Sequence, residues 1–149
     1  MEKYLGNRQI SEYMTPISQF VAPYDTAQTA RELLARNKLS CLPVLCQDKP
    51  IGILSQRTLL YLHAFLELKL DQICAKDIMD YEFHIECMTE TLSRVSQKML
   101  DKGCDTTVIL SARKEAVGVF TAFDALDILC TLSRSDNAVE SYTKNPYVF

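Results

Sequence analysis

The sequence predicts an α+β fold made of two β-α-β-β-α units packed sheet to sheet about a pseudo-two-fold axis. Three observations lead there. The chain is 149 residues long, enough for one domain or two small ones sharing a core. It is also written twice: sliding it by 65 residues lays Glu12 over Asp77, Met14 over Met79, Thr26 over Thr91 and Leu34 over Met99. One extra residue in the second half shifts the offset to 66, after which Gly52 meets Gly118, Ile53 meets Val119 and Ser55 meets Thr121. Only four glycines exist in the chain, so two in register carry weight. A single unit of about 60 residues buries too little surface to be comfortable alone, which favours two sharing one core.

Each half has the same order of elements. An extended piece, Phe20 to Ala22 or His84 to Cys87, leads into an amphipathic helix. In the first half Asp25 is placed to cap, with Gln28 three positions on, and Ala30, Leu33 and Leu34 form the apolar stripe. In the second, Leu92, Val95, Met99 and Leu100 do the same, and Gly103 suits a left-handed stop. A hairpin follows: Cys41–Leu45 with Ile51–Ser55, and Thr106–Leu110 with Ala116–Thr121. The extra residue of the second half falls in this turn, where insertions are best tolerated. A closing helix ends each unit, near 57–68 and 123–132. The resulting division is an N-terminal arm (1–9), repeat 1 (10–70), repeat 2 (71–133) and a C-terminal tail (134–149), whose apolar end Tyr147-Val148-Phe149 suggests docking.

Composition narrows the function. Sixteen basic and nineteen acidic residues leave a net charge of -3, with no cationic field for a phosphate backbone, so no nucleic-acid partner is expected. No apolar run reaches the roughly 20 residues of a membrane span, and the polar start does not read as a secretory signal. Six cysteines stand without a Cys-x-x-Cys pair, which speaks against a structural zinc site and for free thiols in a reducing cytoplasm. Cys41 and Cys46, at odd separation on a strand, should face opposite ways. His63 and His84 have no cysteine or carboxylate at metal-ligand spacing and read as surface residues. No nucleophile elbow or Cys-His signature is present, so an enzyme is not expected.

The ordered motifs Ile10-Ser11-Glu12-Tyr13-Met14-Thr15-Pro16, Pro23-Tyr24-Asp25-Thr26, Leu39-Ser40-Cys41-Leu42-Pro43-Val44 and Gly52-Ile53-Leu54-Ser55 resemble the cystathionine-beta-synthase (CBS) domain. The second half keeps Lys76-Asp77-Ile78-Met79 and Gly118-Val119-Phe120-Thr121-Ala122-Phe123-Asp124, but has Asp80-Tyr81 where the first has Thr-Pro. Two such domains in tandem resemble a Bateman module, and the resemblance covers about residues 8 to 133. It implies a regulatory protein that senses an adenosine-containing ligand, AMP, ADP, ATP or S-adenosylmethionine, and modulates a partner protein; no cofactor is required. The alternative it leaves open is a dimeric interaction scaffold that has lost ligand binding.

The family's ligand signature, Gly-h-x-Thr/Ser-x-x-Asp, is met by Thr121 and Asp124. A carboxylate there can accept from both ribose hydroxyls, and a hydroxyl at a helix start suits phosphate. Thr-x-x-Asp is equally a plain helix-capping signal. The resemblance adds Asp80, Cys104, Asp105 and Val119 to the lining of this second cleft. It marks Leu39, Ser40, Ile53, Ser55 and Thr58 as a degenerate first cleft, where threonine replaces the aspartate. Asp80 and Asp105 would repel phosphates. Leu59, Leu60, Leu62, Phe65 and Leu66 point to core or dimer packing, and a homodimer through the closing helices is expected.

Overall fold

A computed structural model describes residue 5 and residues 7–134; the tail's Pro146 to Phe149 therefore lie outside the described residues. The strands are β1 (Thr15–Pro16), β2 (Cys41–Cys46), β3 (Lys49–Ser55), β4 (His84–Cys87), β5 (Thr106–Leu110) and β6 (Ala116–Thr121). The helices are α1 (Ala27–Asn37), α2 (Gln56–Ala64), α3 (Ala75–Ile78), α4 (Leu92–Lys102) and α5 (Ala122–Arg134). Two 3-10 turns, Ile10–Glu12 and Leu70–Gln72, complete the described elements. The order within each half is that expected, an α+β unit of helix, hairpin and closing helix.

The chain forms two compact units, and they do not follow the repeat boundary. One comprises residues 18–83, the other the described residues up to 17 together with 84–134. The sequence repeat divides at 70/71, whereas the compact units follow which strands pair. In the discontinuous unit the order is β1-β6-β5-β4, so the first half's Thr15–Pro16 becomes an edge of the second half's sheet. Thr15 pairs with Val119 and Pro16 with Gly118. The contiguous unit repeats the arrangement: Asp80, the counterpart of Thr15, bridges Ile53, the counterpart of Val119.

In the contiguous unit, β2 and β3 form an antiparallel hairpin from Cys41↔Ser55 to Cys46↔Lys49. Its two turn residues, Gln47 and Asp48, have φ of 51° and 64°, the paired positive values of the tight turn whose twist suits a hairpin. The expected extended piece at 20–22 is reduced to one bridge, Val21 to Val44. Helix α1 starts one residue later than the sequence suggested. Thr26 is its cap, accepting from Thr29 N at 3.1 Å, while Asp25 accepts from Ala22 N at 2.8 Å and closes the turn before it. The core gathers Val21, Ala30, Leu34, Leu42, Val44, Leu54, Leu59 and Met79. Helix α2 ends at Ala64, short of the expected 68; of its apolar residues Leu59 is buried and Leu60 is 55% exposed, and Phe65 just after it is 77% exposed.

In the discontinuous unit, Thr91 caps α4 and Gly103 ends it at φ 63°, as its glycine predicted. Leu92, Val95 and Met99 pack with Ile10, Tyr13, Met14, Ile109, Phe120 and Ile128. Leu100 departs from the expectation: it is 76% exposed, one position round the helix from the buried Met99. His84 departs in the other direction and is buried at 7% exposure, because β4 turns it toward α4. His63 is exposed as expected. None of the six cysteines is joined in a disulfide; Cys41 is buried and Cys46 exposed. No helix of the described residues is long and apolar enough to cross a membrane.

Candidate functional site

The end of β6 delivers Thr121 to the start of α5. Thr121 N and Oγ1 donate to Asp124 Oδ2 at 2.8 and 3.0 Å, and Asp124 N donates back to Thr121 Oγ1 at 3.2 Å. This is a capping box, and Asp124 is 6% exposed. The capping role raised by the sequence is therefore present in full. A carboxylate has about four acceptor positions, and both capping bonds go to Oδ2.

The contiguous unit builds the same corner from poorer parts. Ser55 accepts from Thr58 N at 3.1 Å, and the two hydroxyls lie 2.9 Å apart. Thr58 caps nothing in return and brings no negative charge. The corner therefore survives as helix geometry without the group that would accept from two ribose hydroxyls.

Each corner is tied to the loop entering its hairpin. Ala122 N donates to Asp105 O at 2.8 Å, and Gln56 N to Ser40 O at 2.9 Å. Asp105 is exposed beside the start of α5, and Cys104 is half-buried before it. Burial, the largest influence, pushes the Cys104 thiol up from its ordinary pKa and keeps it protonated. Val119, half-buried on β6, completes the set. Thus Cys104, Asp105, Val119, Thr121 and Asp124 belong to one unit, as do Leu39, Ser40, Ile53, Ser55 and Thr58 in the other.

Asp80 is the exception. Its backbone exchanges two hydrogen bonds with Ile53, at 2.8 and 3.1 Å, which places it with Ser55 and Thr58 rather than with Thr121 and Asp124. The residue pairing beside Thr121 is instead Thr15, opposite Val119, followed by Ile17 N donating to Val117 O at 3.1 Å. Sequence reasoning missed this exchange. Its signal was the matched pairs Met14/Met79 and Gly118/Gly52, because a Cβ on Gly118 would meet Met14 and one on Gly52 would meet Met79. The consequence is a sorting of motifs. The intact Met14-Thr15-Pro16 lies against the intact Gly118-to-Asp124 segment, whereas the altered Met79-Asp80 lies against the altered Gly52-to-Thr58 segment.

Elsewhere, the outer side of α2 forms an open groove of about 430 Å³ lined by Gln56, Arg57, Leu60, Tyr61 and Phe65. The Tyr61 and Phe65 rings stack at 5.6 Å between centroids. On α5, Phe123, Leu126 and Leu129 are 75%, 55% and 61% exposed. Among the described residues no three His, Cys, Asp or Glu side chains are placed to hold a metal ion.

Comparison with known proteins adds a domain match over part of the chain and a fold. The CBS domain model matches residues 10–64. A CBS domain-containing protein of unknown function from Bacillus anthracis is 15% identical, with TM-score 0.74 over 87% of this chain and 98% of its own. CBSX2, a CBS-pair protein from Arabidopsis thaliana, was solved in complex with AMP; it is 22% identical, with TM-score 0.70 over 85% of this chain and 98% of its own. Hypoxic Response Protein I, solved with two coordinated zinc ions, is 15% identical, with TM-score 0.69 over 80% and 98%. A search of curated proteins found no match to the chain.

Proposed function

From a chain that carries a CBS domain over residues 10–64 and has the fold of CBS-domain pairs, we propose a regulatory protein that binds an adenosine-containing ligand of the AMP, ADP, ATP or S-adenosylmethionine class. The site is the corner of Thr121 and Asp124, completed by Thr15 from the first half. Asp124 accepts the ribose hydroxyls, and the start of α5 with Thr121 faces the 5′ substituent. One observation carries this reading: the unaltered motif segments of both halves pair on β1 and β6 of one unit. Packing of a methionine on a strand glycine is kept in both units, so it does not account for the difference between them; the pairing of Thr15 with the segment that ends in Asp124 is what the ligand reading adds.

Binding acts by population shift: the ligand favours one conformation and the effector protein prefers that conformation. The AMP complex of CBSX2 supports the ligand class. The exposed apolar residues of α2 and α5 support assembly of two copies, since faces of this kind mark interaction surfaces. A second reading, a dimeric scaffold without ligand, is favoured by Asp124 already serving α5 as its cap. Calorimetry with AMP, ADP, ATP, S-adenosylmethionine and NADH separates them. Saturable heat with one of the adenosine ligands supports the sensor; none at millimolar concentration supports the scaffold.

A further inference from the structure

The second half holds a charged cluster that neither the capping corners nor the apolar helix faces use. His84, on β4, is buried with its Nδ1 3.1 Å from Lys102 Nζ. Its Nε2 lies 3.0 Å from Glu86 Oε1, two residues along the same strand. The Nε2 contact is electrostatic, since it lacks the alignment of a hydrogen bond. Glu86 also accepts from Lys98 Nζ at 2.8 Å, and Lys98 lies 3.8 Å from Glu90. From β5 the register partner of His84 is Thr107, whose Oγ1 is buried. The groups facing the imidazole are therefore Glu86 from its own strand, Lys98 and Lys102 from α4, and the uncharged Thr107 from β5.

This geometry favours one protonation state. An ammonium has only donors to offer, so Lys102 against Nδ1 requires that nitrogen to accept, with the proton on Nε2 toward Glu86. A second proton on Nδ1 would set two positive groups against one another at hydrogen-bond distance. Glu86 is no full compensation, because it already serves Lys98. The Lys102 ammonium is the part that can leave: its residue is exposed and belongs to the last turn of α4. Directly after it come Gly103, in the left-handed conformation, and then Cys104 and Asp105.

We propose that His84 and Lys102 form a proton-operated latch: neutral His84 holds the last turn of α4 against β4, and protonation expels Lys102 and frees the turn leading to Cys104 and Asp105. The latch stands on the cluster alone; only its bearing on ligand affinity rests on the adenosine-site reading above. Burial and the Lys102 charge both disfavour the imidazolium, which sets the direction of the response.

The test is a ligand-free NMR titration of the full chain, following the His84 ring and the amides of Lys102, Gly103 and Cys104. The expected result is a His84 midpoint below the ordinary 6.5, with the three amides shifting at the same midpoint. Lys102→Met should raise the His84 midpoint, and His84→Gln should abolish the acid-linked amide shifts. A midpoint at or above 6.5 overturns the latch, as does amide movement that persists in His84→Gln or a midpoint that Lys102→Met leaves in place. No ligand enters the experiment, so its failure is distinct from failure of the adenosine reading.

Discussion

Met14 occupies the space that a side chain on Gly118 would need. A Cβ built there would come within 2.8 Å of Met14 Cγ and 3.1 Å of Thr15 O, and Met79 stands over Gly52 in the same way, with its Sδ 2.5 Å from such a Cβ. In both units a methionine from one sequence half thus sits over a strand glycine of the other. Gly118→Ala should destabilise the fold by about 1–3 kcal/mol, the usual penalty for overpacking. Met14→Ala in the same chain should recover part of that loss. Chemical denaturation of the two single variants and the double variant measures the coupling, and strict additivity would contradict the contact.

Replacing Asp124 has two separable effects. Asp124→Ala removes the capping box, which should lower stability by about 1 kcal/mol. It should also weaken adenosine-ligand binding by roughly ten- to a hundredfold, the equivalent of about 1.5–3 kcal/mol for bonds to a charged acceptor. Thr58→Ala should alter binding little. Calorimetric titration of both variants decides, and loss of binding in Thr58→Ala alone would move the working site to the other unit.

Acidification should weaken the fold through His84. Its folded pKa lies below the ordinary 6.5, because burial and then Lys102 disfavour the charged ring. The unfolded chain therefore takes up the proton first. The stability contributed by neutral His84 is complete above 6.5 and is lost as pH falls from 6.5 through the folded pKa. Thermal melts over about pH 7.5 to 5.5 should show the wild type losing stability that His84→Gln does not lose. Parallel curves for the two would refute the assignment.

The apolar faces of α2 and α5 make the proposed dimer testable. Leu126→Glu and Leu60→Glu place charge on side chains that are 55% exposed in the single chain, so neither should disturb the fold of its unit. If two copies meet there, each should shift sedimentation from a dimer toward a monomer. A wild-type monomer at tens of micromolar would remove the need for that interface.

Local chemistry was legible; long-range pairing was not. The helix stop at Gly103, both hairpins and the apolar stripe through Val95 and Met99 follow from turn residues and periodicity. Thr26 took the cap from Asp25 because both are good caps and only the preceding turn, closed by Asp25 on Ala22, decides between them. His84 carries no sign in the sequence of being buried, since its partners Lys98 and Lys102 lie 14 and 18 residues on. For the site, the Thr121–Asp124 corner was readable from spacing. The partner segment was not: pairing of Thr15 with Val119 spans most of the chain, and only strand topology reveals it.

That exchange of edge segments sets an order on folding during synthesis. Residues 18–83 emerge as one stretch and contain every strand their unit needs. Residues 10–16, made earlier, have no sheet to join until β6 and its hairpin partner leave the ribosome. This segment, made before residues 18–83, is thus placed after them, and closing so long a loop slows the step. During that interval Ile10, Tyr13 and Met14, all buried in the finished unit, remain exposed to solvent. That stretch stays open to chaperones, proteases and wrong partners until β5 and β6 have paired.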